Sequence, residues 1–248
     1  MNLLTPPAPS VPAIAGFVSL VVAVSGVTVA SVRLASRTAG ESDAQTRRRT
    51  IVVAATLAAW LALTTILAAS GLLAQFDRRP PPFLVFVAVS TALSTVFAFS
   101  RFGSLLARSL PIAVLVGFHA FRLPLEIILY QLSLDGVLPV QMTFDGMNYD
   151  ITTGVLAALI GLWASYRQPP RLVLMLWNVL GVFLLLVIVT IAALSAPIPL
   201  RLFMNDPANT IVATVPFVWL PTLLVQAAWI GHLLVFRRLR FERIARTR

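Results

Sequence analysis

The stretch PIAVLVGFHAFRLPLEIILYQL, residues 111–132, has the length and apolar character of a membrane crossing, yet it carries His119, Arg122 and Glu126. About 20 helical residues at 1.5 Å each cross the hydrocarbon of a bilayer. At about 100° of rotation per residue the three ionisable groups share one helix face, a sector of roughly 60°. A charge near the bilayer centre costs on the order of 3 kcal/mol on insertion scales, so such groups face a partner or a wet cavity.

The rest of the chain has the same character. It has 248 residues, 58% hydrophobic and 11% charged, with a mean hydropathy of +0.91. A soluble domain carries about 25% charged residues, so this much apolar surface calls for lipid as its solvent. There is no cysteine, which excludes disulfides and thiolate metal sites. There is no lysine either, so all 19 basic residues are arginine and a Schiff base or catalytic amine is excluded.

Seven apolar stretches follow, at about 11–34, 51–75, 83–100, 111–132, 151–166, 172–196 and 211–236. Proline-rich segments separate several of them, such as Arg79-Pro80-Pro81-Pro82 and Gln168-Pro169-Pro170. The expected fold is all-α: one domain over 1–248, a bundle of seven transmembrane helices, ending in a basic tail at 237–248. Fifteen arginines lie on one side of these spans and three (Arg78, Arg79, Arg201) on the other, with Arg122 inside. The positive-inside rule puts the rich side in the cytoplasm and the N-terminus outside, as expected of a multi-pass protein of the inner (cytoplasmic) membrane. The net charge of +10 therefore sets orientation and is no sign of nucleic-acid binding. The opening residues lack a basic n-region, so no cleaved signal peptide is expected.

Depth along each helix groups the polar residues into layers. Arg122 and Gln226 fall near the midplane, Glu126 one turn beyond, and His119 with Asn178 in the cytoplasmic half, with His232 lower still. These five, Arg122, Glu126, His119, Gln226 and Asn178, form the candidate binding set. Arg122 and Glu126 fit two roles, an i, i+4 ion pair that neutralises itself or a binding pair facing an internal cavity. Pro124 lies between them and leaves the carbonyl of Ala120 without its helical partner, which predicts a kink. No cofactor is required. His119 and His232 also fit a b-type haem held from two helices, although their depths differ by several Å.

The outer loops hold Gln141, Asp145, Asn148, Asp150, Asn205 and Asp206. Their oxygens suit a hard cation, but they lack the Ca²⁺-loop spacing; turn and cap chemistry also accounts for them, with Asp145-Gly146 as a turn and Asp150 and Asn209 as N-caps. Neither a metal site nor a catalytic residue is expected. Gly154, Ala158, Gly161 and Ser165 place small residues on one stripe of the fifth span, which predicts close helix packing. The tail interleaves Leu239, Phe241 and Ile244 with six arginines, a pattern suited to anionic lipid at the inner leaflet.

Four blocks look familiar: Phe121 to Glu126; Gln141 to Ile151, within the run Pro139-Val140-Gln141-Met142-Thr143-Phe144-Asp145-Gly146; Phe203-Met204-Asn205-Asp206-Pro207-Ala208-Asn209-Thr210; and Pro216-Phe217-Val218-Trp219-Leu220-Pro221. Through them, and Trp177-Asn178-Val179-Leu180-Gly181, the chain resembles a family of uncharacterised bacterial seven-span integral membrane proteins. That resemblance covers mainly residues 115–235 and implies no reaction. The expected function is a carrier or permease for a small polar or anionic solute. Alternatives are a non-catalytic sensor or assembly subunit, with a membrane partner or a second copy, and the haem protein.

Overall fold

The computed structural model describes residues 7–246, with side chains to residue 242, and is all-helical among them. The helices are α1 (Val11–Thr38), α2 (Asp43–Ala69), α3 (Pro82–Phe99), α4 (Arg101–Ser109), α5 (Ile112–Gly117), α6 (Arg122–Leu134), α7 (Ile151–Tyr166), α8 (Arg171–Ser195) and α9 (Val225–Arg246). Six helical segments are long and apolar enough to cross a membrane: α1, α2, α3, Ile112–Leu134, α8 and Leu220–Glu242. The seventh apolar helix, α7, has 16 residues.

Local chemistry sets the boundaries. A capping box between Ser42 and Gln45 starts α2, eight residues before the apolar run at 51. Gly71, at φ 73°, takes the left-handed conformation that ends it, so Leu72–Ala74 form a short 3-10 turn outside the helix. Residues 111–132 do not make one continuous helix. A 3-10 turn, Phe118–Phe121, joins α5 to α6 just before Pro124, which has no N–H to give the carbonyl one turn back.

The last span also differs from its apolar run at 211–236. Ile211–Ala213 is a 3-10 turn, and helical structure resumes at Leu220–Leu224 as a π-helical turn leading into α9. The arginine-rich segment beyond 236 is no separate tail, because α9 continues to Arg246; the tail residues 247–248 lie outside the described residues. Arg237 donates to the carbonyls of Ala98 and Ser100 and to the Ser104 hydroxyl, and Arg238 to the carbonyl of Arg108. Cations thus sit on the free carbonyls at the ends of α3 and α4. Arg240 remains exposed, while the side chains of Arg243, Ile244, Arg246 and Arg248 lie outside the described set.

Two connections fold back into the bundle. About 24 Å of helix is all that α7 supplies, short of a roughly 30 Å hydrocarbon layer. In the segment before it, Gln141, Met142, Thr143, Asn148 and Asp150 are all buried. Ahead of α9, Ile211, Val212, Ala213, Phe217 and Val218 are buried likewise. Both segments use the same device, a three-residue 3-10 turn followed by an extended threonine whose hydroxyl donates back three residues. Thr143 bonds the carbonyl of Val140 at 2.8 Å, and Thr214 that of Ile211 at 2.7 Å. Irregular backbone at such depth is tolerable only where protein surrounds it.

Helix α7 packs on α5, the following turn and α6. A Cβ on Gly161 would lie 2.7 Å from the Gly117 Cα, and one on Gly154 would lie 3.2 Å from the Arg122 Cβ. These two glycines make the close approach. Ser165 is exposed, and Ala157 rather than Ala158 is buried, so the contact stripe is narrower than the small-residue pattern. Two apolar clusters fill the bundle. One surrounds Phe17, Leu132 and Phe217; the other surrounds Ala35, Leu115 and Val235. On the fourth and last spans the clusters meet near residues 117–122 and 228–230.

Candidate functional site

At that junction lies a polar cluster contributed by three spans and the segment that precedes α7. His119, Arg122, Glu126, Asn148, Asp150, Asn178 and His232 are each at most 4% exposed. Arg122 forms an ion pair with Asp150, Nη1 to Oδ1. Its other terminal nitrogen, Nη2, lies 3.3 Å from His232 Nε2. His232 Nδ1 is 2.8 Å from the Asn178 Oδ1, and the Asn178 amide donates at 3.1 Å to the carbonyl of His232. The result is a continuous buried chain: Asp150, Arg122, His232, Asn178.

Glu126 is not the partner of Arg122, and among the described residues it enters no ion pair. The Asn148 amide nitrogen reaches both its oxygens, at 2.8 and 2.7 Å, and the carbonyl of Met142 at 3.1 Å. Asn148 Oδ1 accepts from the Asp150 backbone N–H at 3.1 Å, coupling the two carboxylate sites. Asp150 stands at the N-cap position of α7, but makes no side-chain cap, because its carboxylate is engaged by Arg122. Glycines allow the crowding. A Cβ on Gly181 would come within 2.4 Å of His232 Cε1, and one on Gly231 within 2.5 Å of His119 Nε2.

The His119 ring stands 4.1 Å from the His232 ring, centroid to centroid, and edge-on to Trp177 at 5.2 Å. Rings in contact leave no room for a porphyrin and its iron between them, and both nitrogens of His232 already have protein partners. Both nitrogens of His119 are buried without a hydrogen-bond partner among the described residues.

A cavity of about 120 Å³ borders this cluster. Arg122, Glu126, Asn148 and Asp150 lie on one wall; Leu125, Met142, Leu185, Leu220 and Leu224 are among its apolar lining. At about 30 Å³ of liquid volume per water, it suits a few waters or one small solute.

The remaining sequence candidates lie elsewhere. Gln226 donates to Thr91 and to the carbonyl of Pro221, and lines a different cavity. Gln141 donates to Ser195 and accepts from Asn205, tying the segment before α7 to the end of α8 and the loop after it. Asp145 is exposed in a turn, where a Cβ on Gly146 would strike the Val140 carbonyl at 2.3 Å. Asp206 is exposed beside Arg201, 3.9 Å away. Asn209 is the exception: it caps no helix, its amide donates to the Ala192 carbonyl at 2.9 Å, and it borders the same cavity as Glu126. Sequence reasoning placed Asn148 and Asp150 on the rim and passed over Trp177, Gly181 and Gly231. The shortness of the fifth span was the available signal that its N-terminal flank must descend into the bundle.

No curated protein and no solved structure matches the chain. A family model matches residues 81–240, from the approach to α3 into α9, a range that holds every member of the polar cluster. By that match, the chain belongs to the family described as a domain of unknown function, DUF8737.

Proposed function

We propose that the protein is a seven-span inner-membrane protein, N-terminus outside and C-terminus in the cytoplasm, that binds a small polar solute within its bundle in the manner of a carrier. The observation that carries this reading is the cavity whose chiefly apolar lining includes Arg122, Glu126, Asn148, Asp150 and Asn209. A few convergent polar groups on an apolar wall is the general form of a small-molecule site. The fifteen-to-three arginine asymmetry supports the orientation.

The geometry shifts the class of solute away from an anion. Arg122 is already neutralised by Asp150, so it offers little to a second negative group. Glu126 is the group without a cationic partner, held only by amide hydrogen bonds. The site therefore suits a proton or a small cation with N–H donors, with Glu126 as the exchanging carboxyl and Arg122 and Asp150 holding the loop in place. Thermal unfolding of the purified protein with methylammonium and guanidinium, against acetate and phosphate, tests this. Stabilisation by the cations, lost in Glu126→Gln, is expected; stabilisation by the anions alone, or by neither series, sinks it.

A second reading, a non-catalytic assembly subunit, draws on Leu200, Leu202 and Met204, which are 69%, 70% and 72% exposed on the last outer loop. A stoichiometric partner that co-purifies and is lost on changing Leu202 to Asn would favour it.

A further inference from the structure

A second cavity is larger than the one at Arg122. A groove of about 940 Å³ runs along α2 and is bounded by α1, α3, α4, α5 and α9. Its lining on α2 extends from Gln45 to Leu63, roughly 27 Å of helix and most of a bilayer's depth. The groove exists because α2 stands apart: its only buried residues are Thr46, Thr64 and Ala68. The helix leans on α1, and reaches the α3–α9 side through Trp60, which stacks on Phe86 and donates to the Thr222 carbonyl at 2.9 Å.

The groove is polarised along its length. Its walls are chiefly apolar, with Val52, Leu93, Phe97 and Leu106 among them, and the hydroxyls of Thr28, Thr56 and Ser90 are turned back onto carbonyls of their own helices. At the arginine-rich end the lining includes Arg48 and Arg49. Arg49 lies 2.9 Å from Glu41 and over the Phe102 ring; Arg48 is exposed and enters no ion pair among the described residues. An apolar trough with a cationic mouth is complementary to an amphiphile with a long hydrocarbon tail and an anionic head.

We infer that this groove holds an anionic glycerophospholipid of the leaflet at the arginine-rich end, its phosphate at Arg48, beside the Glu41-paired Arg49, and an acyl chain along α2 as far as Trp60. The site is separate from the Glu126 cavity and does not depend on its solute.

Trp60 supplies the readout. The full-length protein is reconstituted into phosphatidylcholine nanodiscs containing a graded fraction of phosphatidylglycerol, with bromine on the acyl chains of one lipid or the other. Quenching assigned to Trp60, by difference from Trp60→Phe, is expected to rise at a phosphatidylglycerol fraction at least about fivefold lower than for phosphatidylcholine. The double variant Arg48→Gln, Arg49→Gln is expected to equalise the lipids, and Thr56→Phe, which fills the trough without adding an indole, to remove the preferential phase. Equal quenching by the two lipids in the wild-type protein overturns the proposal, and that comparison needs no variant to fold. A preference that survives in either variant also overturns it, as does protection of Trp60 through a cross-linkable α2–α2 contact between two copies.

Discussion

Arg122 and Asp150 are 28 residues apart in sequence and form a buried ion pair whose side chains are 1% and 5% exposed. That pair draws the start of α7 down to the middle of the bundle and fixes the re-entrant segment before it. Removing one member of a buried pair leaves the other charge uncompensated, at a cost of about 3–5 kcal/mol. Asp150→Asn and Arg122→Gln are each expected to lower stability by that order in detergent unfolding. The double variant is expected to be less damaged than the sum of the two. Strict additivity would show that the pair is not coupled.

Asn148 and Glu126 make a second test. The Asn148 amide is the side-chain donor to both oxygens of Glu126, and it also bridges to Met142 and Asp150. Asn148→Ala leaves several buried acceptors unmet and is expected to cost about 1–3 kcal/mol. Glu126→Gln keeps the shape and one acceptor, so a loss below about 1.5 kcal/mol is expected. That contrast separates structure from binding. If Glu126→Gln unfolds the protein as readily as Asn148→Ala, Glu126 is a structural group and not the exchanging carboxyl.

Gly181 lies against His232 with no room for a methyl group, since its Cβ would stand 2.4 Å from Cε1 and 2.9 Å from the Thr153 Cγ2. Gly181→Ala is expected to push the imidazole off Arg122 and Asn178 and to cost about 1–3 kcal/mol, as overpacking does. Gly26, whose Cβ would meet nothing within 4 Å, is the control, and Gly26→Ala within a helix is expected to be neutral or stabilising. Equal unfolding midpoints for the two variants would remove the steric argument.

Much of this architecture is written in hydropathy, because a membrane helix needs a long apolar run and the run is visible residue by residue. The break at Pro124 is legible for the same local reason, a missing N–H. Starts and ends of α2 and α9 are less so: the capping box at Ser42 lies in a polar segment, while residues 211–218 are apolar yet form a 3-10 turn and further turns in place of an α-helix. The polar cluster was half visible. His119, Arg122 and Glu126 stand out as charges in oil, but the choice of Asp150 over Glu126 as partner of Arg122 is a tertiary matter. One turn of helix offers Glu126; the folding back of residues 140–150 offers Asp150 from across the interface with α7. Nothing local distinguishes them. Gln226 illustrates the converse, since a position along the last span does not give the face, and Gln226 turns to Thr91 and the other cavity.

Asp135, just past the end of α6, ties the two helix ends on its side of the bundle. Its Oδ2 accepts from the Ser10 N–H at 2.8 Å, at the N-cap of α1, and its Oδ1 from the Gln131 amide at 2.9 Å. Partial burial works to raise its pKa, but the donors prevail and hold it below the ordinary carboxylate range. A folded-state pKa below the unfolded one means that the charged form stabilises the fold. This contribution is complete above the unfolded value, about 4, and disappears as the pH falls through the folded value. Asp135→Asn keeps an acceptor for Ser10 but has no charge to lose. The gap in unfolding temperature between the wild-type protein and this variant is therefore expected to hold steady from pH 7 to about 5, and to shrink as the pH is taken toward about 3. A gap that persists unchanged to the acid end, or one that widens there, would mean that the carboxylate at Asp135 does not stabilise the junction of α1 and α6.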